Sequence, residues 1–196
     1  MNGLPDNPRL FVAVELPGPA VEALGQLQHE LQRHLPRGLR WVRPEGIHLT
    51  LKFLGETPRE RVPAITEALA GSTRGIEAHD LSLGAIGTFG SRGAPRVLWV
   101  DLVGDTSTLE RLQGQVDEAL DAIGFPRERR GFAAHLTLAR VRPESAREAA
   151  EPLAAAIRSV SVPQASISVK EVSLILSKLG PGGAVYAQLE SWALAG

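Results

Sequence analysis

The tripeptide His-Leu-Thr stands twice in this chain, as His48-Leu49-Thr50 and as His135-Leu136-Thr137, each followed by a further leucine. Imidazole and hydroxyl groups can hold a phosphate and move protons near neutral pH. Around both copies, in Ile47–Leu54 and Ala133–Val141, polar and apolar residues alternate with period two, which predicts strands. On a strand, His and Thr of one copy share a face roughly 6–7 Å apart, and the leucines between them enter a core.

One His-x-Thr on a strand is more often structural than catalytic. A second copy with the same hydrophobic parity, close to half the chain length later, changes the reading: it points to two related halves that each supply one imidazole and one hydroxyl. If the halves face each other across a cleft, the histidines flank a bound group. With an ordinary pKa of about 6.5, one is neutral and takes a proton from an attacking water while the other is charged and gives one to the departing oxygen. Thr50 and Thr137 would donate to the non-bridging oxygens, whose charge grows in the transition state. A cyclic phosphodiester suits such a site, because ring strain lowers the barrier.

The elements that must position these residues follow from pattern. Arg9–Leu16 reads as an opening strand, and Pro17-Gly18-Pro19 breaks it before a helix over Ala20–His34 with a stripe of Val21, Leu24, Leu27 and Leu31, ended by Pro36 and Gly38. A short strand at Leu39–Val42 and a turn at Pro44-Glu45-Gly46 deliver the first motif strand. A second helix is expected over Arg59–Leu69, closed by Gly71. Strands at Ile76–Thr88 and Arg96–Leu102 form a hairpin around Gly90–Pro95. A third helix carries Leu109, Leu112, Val116 and Leu120 and ends near Gly124; the loop Phe125–Phe132 leads into the second motif strand. A fourth helix at Glu144–Ile157 precedes two final strands, Ile167–Leu176 and Ala184–Leu194, around Gly180-Pro181-Gly182-Gly183. This order predicts an α+β fold in which two sheets each contribute one motif strand. No low-complexity linker divides the chain, so residues 1–196 read as a single domain with two lobes.

Composition narrows the setting. The 196 residues are 43% hydrophobic, enough for a packed core, and apolar runs such as Val97–Val100 are too short to cross a bilayer. Cysteine is absent, which excludes disulfides, thiolate catalysis and Cys-ligated metals. Met1–Asp6 lacks the pattern of a secretory signal, so a cytoplasmic location and no membrane partner are expected. A net charge of −1 argues against an extended, sequence-independent nucleic-acid binder, so contact with RNA should be local, at an end. A metal hydrolase would need a third ligand beside the two histidines, and motif spacing offers none; no metal and no cofactor are expected.

The chain resembles the two-histidine (2H) phosphoesterases, and within them the RNA 2′,3′-cyclic phosphodiesterases of the LigT group, also known as bacterial and archaeal 2′-5′ RNA ligases. The resemblance is carried by Arg9–Pro17, by Trp41–Glu56 with the first motif, by Pro95–Val100, by His135–Arg140, and by Leu174–Leu179 with Tyr186–Leu189. It implies a bilobal α+β fold of two pseudo-symmetric lobes, with antiparallel sheets lining a central cleft and helices outside. It also implies metal-independent hydrolysis of an RNA 2′,3′-cyclic phosphate end to a 2′-phosphate. It makes His48 the proton donor and His135 the proton acceptor, with Thr50 and Thr137 holding the phosphate. The partners implied are RNA 3′ ends bearing the cyclic phosphate, or small cyclic nucleotides, bound by a monomer.

Phe53 and Arg140 each lie three residues after their motif threonine, which would place a ring and a guanidinium near the nucleotide; the resemblance also places Arg140 there. Strict alternation argues otherwise for Phe53, setting it with Leu49 and Leu51 in the core unless a bulge re-aims the strand. The basic stretches Arg37–Arg43 and Arg127–Arg130 read either as contacts to an RNA tail or as solvated loop charges. Trp41, Trp99 and Trp192 are expected in the core; His29, His34 and His79 are expected at solvent-facing or loop positions without function. The same site could instead act as a 2′-5′ RNA ligase, or cleave other cyclic or 2′-5′ linked nucleotides. From a different class, it could be a nucleotide- or RNA-end-binding module without turnover.

Overall fold

A computed structural model describes residues 4–35, 38–91, 93–128, 131–180 and 183–196. Nine strands, β1 (Arg9–Glu15), β2 (Leu39–Trp41), β3 (His48–Glu56), β4 (His79–Ser91), β5 (Ala94–Gly104), β6 (His135–Val141), β7 (Ser166–Val169), β8 (Glu171–Gly180) and β9 (Gly183–Ala193), join four helices. These are α1 (Gly18–His34), α2 (Val62–Ser72), α3 (Thr106–Asp121) and α4 (Ala146–Ser159). Helix starts follow local chemistry. Pro17 stands at the N-cap of α1 with Pro19 in its first turn, where a missing N–H costs nothing. The Asp105 carboxylate accepts from the Thr108 N–H at 3.1 Å to open α3; the Thr108 and Ser107 side chains, together with that N–H, hold its pKa down at about 2.

The strands form one antiparallel sheet in the order β7-β4-β5-β6-β3-β1-β8-β9, with β2 added against β6. It divides naturally at its middle. β3 and β6, the two motif strands, are joined by the single backbone pair Leu49 and Leu136. On one side of that seam lies the lobe β3-β1-β8-β9 and on the other the lobe β6-β5-β4-β7, so the expected two sheets are halves of one, touching at their motif strands. The lobes trade elements: α2 and α3 pack together over the first, while α1 and α4 pack against β7 and β5 of the second.

The face under the helices is the core. Leu49, Leu51, Leu98, Val100, Leu136 and Leu138 point into it with Leu24, Leu27 and Leu31 of α1 and Leu109, Leu112 and Val116 of α3. Burial of those leucines and valines, each worth about 1.5–3 kcal/mol, fixes strand parity and turns His48, Thr50, His135 and Thr137 to the other face. The expected final strand 167–176 is in fact two. β7 pairs with β4 and β8 with β1, and the chain crosses from one lobe to the other at Lys170, whose carbonyl accepts from Leu194 N–H. Pro36 and the Pro181-Gly182 part of the last turn lie outside the described residues. No described helix is long and apolar enough to cross a membrane.

Candidate active site

The two motif strands are built alike, down to their irregularities. β1 pairs with β3 through Val12–Lys52 and then Ala13–Thr50, stepping over Leu51. β5 pairs with β6 through Leu98–Ala139 and then Trp99–Thr137, stepping over Leu138. Each step puts two successive residues into the core, Leu51 with Lys52 and Leu138 with Ala139, and returns the next one to the open face. Those next residues are Phe53 and Arg140. Phe53 is 59% exposed and lines the cleft, so the core position that strict alternation gives it does not hold. The register shift is the physical reason.

A residue skipped by the ladder leaves its carbonyl in need of a donor, and a glutamine from a helix supplies one in each lobe. Gln28 of α1, itself buried, donates through Nε2 to Leu138 O at 2.9 Å and to Val42 O at 2.8 Å. Gln113 of α3 donates to Leu51 O at 3.5 Å. The glutamines end matching Leu-x-x-Leu-Gln stretches, Leu24–Gln28 and Leu109–Gln113; that repeat was a usable sequence signal and is the one the motif search passes over.

The histidines are oriented by a shared device. His48 Nδ1 lies 2.9 Å from Gly46 O and His135 Nδ1 lies 2.7 Å from Ala133 O. A carbonyl only accepts, so each Nδ1 carries the hydrogen and donates it, leaving Nε2 to serve the cleft. An antiparallel register centred on Leu49 and Leu136 sets His48 across from Thr137 and Thr50 across from His135. Each imidazole is thus paired with the hydroxyl of the other half.

Aromatic rings wall both histidines, and here the symmetry ends. His48 stacks on Phe11 with centroids 4.5 Å apart and meets Tyr186 edge-on at 5.0 Å. His135 meets Phe89 edge-on at 4.8 Å and Trp99 at 6.4 Å. Burial holds the His48 pKa below the ordinary histidine range, and the charges of Arg140 and His135 push the same way, against the opposing effect of the Gly46 carbonyl.

The four motif residues, Phe53, Arg140, Arg9, Phe11 and Tyr186 line one cleft of about 500 Å³. A bay of about 460 Å³ adjoins it on the His135 side, sharing Thr50, Phe53, Phe89 and His135 and walled further by Phe132 and Gln113. A larger cavity, about 650 Å³, lies between α2 and β8-β9, away from both histidines. Chemistry follows the convergent groups rather than volume, so the 500 Å³ cleft is the site. Among the described residues no three His, Asp or Glu side chains gather as metal ligands would.

Trp41 and Trp192 pack against the core, but Trp99 shares the cleft face with Thr137, its strand partner, and stands beside His135. His29 is exposed and His34 pairs with Glu30, whereas His79 is buried at the start of β4 with Nδ1 3.0 Å from Glu77 O. Arg127 faces Glu118 and Asp121 of α3; Arg37, Arg129 and Arg130 lie outside the described residues. The motif reading missed Phe11, Phe89 and Tyr186, because β1, β4 and β9 carry no copy of the repeated tetrapeptide.

Comparison with known proteins finds a twofold repeat along the chain, with one His-Leu-Thr motif in each copy. The family model described as LigT like Phosphoesterase matches residues 14–99 and again 100–186. The chain is similar to the RNA 2′,3′-cyclic phosphodiesterase of Archaeoglobus fulgidus, at 34% identity over 92% of this chain and 97% of that one. It is also similar to the protein of that name from Geobacillus stearothermophilus, at 37% identity over 66% of this chain, a match that spans 41% of that longer relative. Among solved structures, E. coli LigT complexed with 3′-AMP superposes with a TM-score of 0.72 at 28% identity, covering 96% of this chain and 98% of that one.

Proposed function

The chain belongs to the LigT-like phosphoesterase family, and from that premise we propose that it hydrolyses 2′,3′-cyclic phosphate ends of RNA to 2′-phosphates. The observation that carries this reading is the pair of histidines, each tied by Nδ1 to the carbonyl two residues before it and each left with Nε2 for one shared cleft. Names of relatives that match most of their own length, such as the Archaeoglobus protein, support the same substrate.

In this reaction the cyclic phosphodiester lies over the seam between β3 and β6. Neutral His135 takes a proton from water through Nε2 as the water oxygen attacks phosphorus. Charged His48 gives its Nε2 proton to O3′ as the P–O3′ bond breaks. Thr50 and Thr137 donate to the two non-bridging oxygens. A lowered pKa makes the His48 imidazolium a stronger acid, and the negative charge of the bound diester favours the protonated form that burial and Arg140 disfavour. Phe53 and Arg140 flank the nucleotide. No step in this sequence needs a metal or cofactor.

One observation favours a second use of the site. The bay beside His135 opens on the side from which the nucleophile comes and has Phe53, Phe89 and Phe132 on its walls, so a nucleoside hydroxyl can take the place of water and give 2′-5′ ligation. Both uses have the whole chain acting as one bilobal domain, because each lobe holds only half of the acid–base set.

Turnover of 2′,3′-cyclic AMP by the wild type, His48→Ala and His135→Ala tests the reading. Each variant should lose about 10²–10⁴-fold in kcat. Undiminished turnover in both, or none in the wild type, refutes it.

A further inference from the structure

On the open face of the second lobe, Arg40 of β2 stands directly opposite Arg140 of β6 in the antiparallel ladder. Directly opposed residues share a face, and like charges so placed repel each other. Both side chains are exposed, and none of the ion pairs among the described residues uses either one. A fold that keeps two unneutralised guanidiniums side by side is arranged for an anion from outside.

The position of the pair says which anion. β6 carries Thr137 at the seam and Arg140 roughly 10 Å further along, and Arg140, with its partner Val97 and with Val42 just beyond β2, lines the rim of the cleft. Arg40 lies next outward, since β2 pairs with β6 alone. In the proposed reaction the departing O3′ belongs to the terminal ribose and lies on the His48 side, across from Thr137. The strand leaving that ribose through its 5′ oxygen therefore runs out over Arg140 and Arg40.

We propose that Arg40, with Arg140, forms a clamp for the backbone phosphates of the RNA strand 5′ to the cyclic end. The proposal rests on the cyclic phosphodiesterase reading and adds to it a specificity: oligonucleotide ends over cyclic mononucleotides. Guanidinium forks suit phosphate oxygens, and contacts of this kind hold register without reading sequence. Since the chain as a whole carries a net charge of −1, the preference has to come from such a local pair rather than from general attraction.

The test measures kcat/KM for 2′,3′-cyclic AMP and for a short oligoadenylate ending in a 2′,3′-cyclic phosphate, each across a range of salt concentrations, in the wild type, Arg40→Gln and Arg40→Glu. In the wild type the oligonucleotide should be preferred, and the preference should fall as salt rises. Arg40→Gln should lower the oligonucleotide-to-mononucleotide ratio about three- to tenfold and reduce the salt slope for the oligonucleotide by about one. Arg40→Glu should lower the ratio further. Equal kcat/KM for the two substrates in the wild type overturns the clamp, as does an equal loss on both substrates in the variants, which would make Arg40 a support of the site. Failure of the wild type on both substrates would instead remove the activity itself, and the clamp with it.

Discussion

Gln28 of α1 donates its side-chain amide to the carbonyl of Leu138, 2.9 Å away in the middle of a motif strand that belongs to the opposite half of the chain. Leu138 is the residue that the β5–β6 ladder steps over, and that step aims Arg140 at the cleft. The helix is therefore a splint for an irregularity on which the site depends. Gln28→Leu leaves the Leu138 and Val42 carbonyls without this donor, and urea or thermal unfolding should show a loss of about 1–3 kcal/mol. Gln113→Leu, which removes the longer 3.5 Å contact to Leu51 O, should cost less. Equal costs at the two positions would contradict the difference in geometry.

Arg140 also provides a handle on which histidine gives the proton. Its charge helps hold the His48 pKa below the ordinary range, so Arg140→Met should raise that pKa. If His48 must be protonated in the free enzyme, its titration sets the alkaline limb of the kcat/KM profile, and that limb should move to higher pH in the variant. Movement of the acid limb instead would mean that His48 acts as the base and His135 as the acid. The sign is independent of any loss in substrate affinity, which lowers the whole profile without moving its limbs.

Much of this was legible in the sequence, and the boundary is instructive. The repeated His-Leu-Thr-Leu gave both motif strands, their parity and the two-lobed fold, because the buried leucines on either side of each threonine, Leu49 with Leu51 and Leu136 with Leu138, admit no other face. Phe53 and Arg140 were legible as a pair from their spacing. The face of Phe53 was not, since alternation breaks where Leu51 and Lys52 are buried in succession, and a bulge depends on the neighbouring strand. Trp99 was misplaced for a related reason. A large apolar ring suits a core, but its register opposite Thr137 puts it on the cleft face. The crossing at Lys170 left no local mark, because β7 and β8 are each ordinary strand sequences that differ in partner.

Lys52 shows what the break in alternation has to carry. It is 3% exposed, and its ammonium pairs with Asp117 of α3 and donates to Pro126 O at 2.8 Å, tying the first motif strand to the segment that leads to the second. Lys52→Met strands a carboxylate that is itself largely buried, and should cost about 3–5 kcal/mol in unfolding experiments. The double variant Lys52→Met with Asp117→Leu should recover much of that loss, because a matched apolar pair leaves no unpaired charge. A double variant no more stable than Lys52→Met alone would show that the bond to Pro126 O, rather than the ion pair, is what matters.

The central claim is that two histidines on pseudo-symmetric strands open a 2′,3′-cyclic phosphate by protonating O3′. It is tested most directly by identifying the product formed from an RNA oligonucleotide ending in that group, by phosphorus NMR or by sensitivity to 2′- and 3′-specific phosphatases. A terminal 2′-phosphate with a free 3′-hydroxyl is expected. A terminal 3′-phosphate, or an unchanged cyclic end, would contradict it.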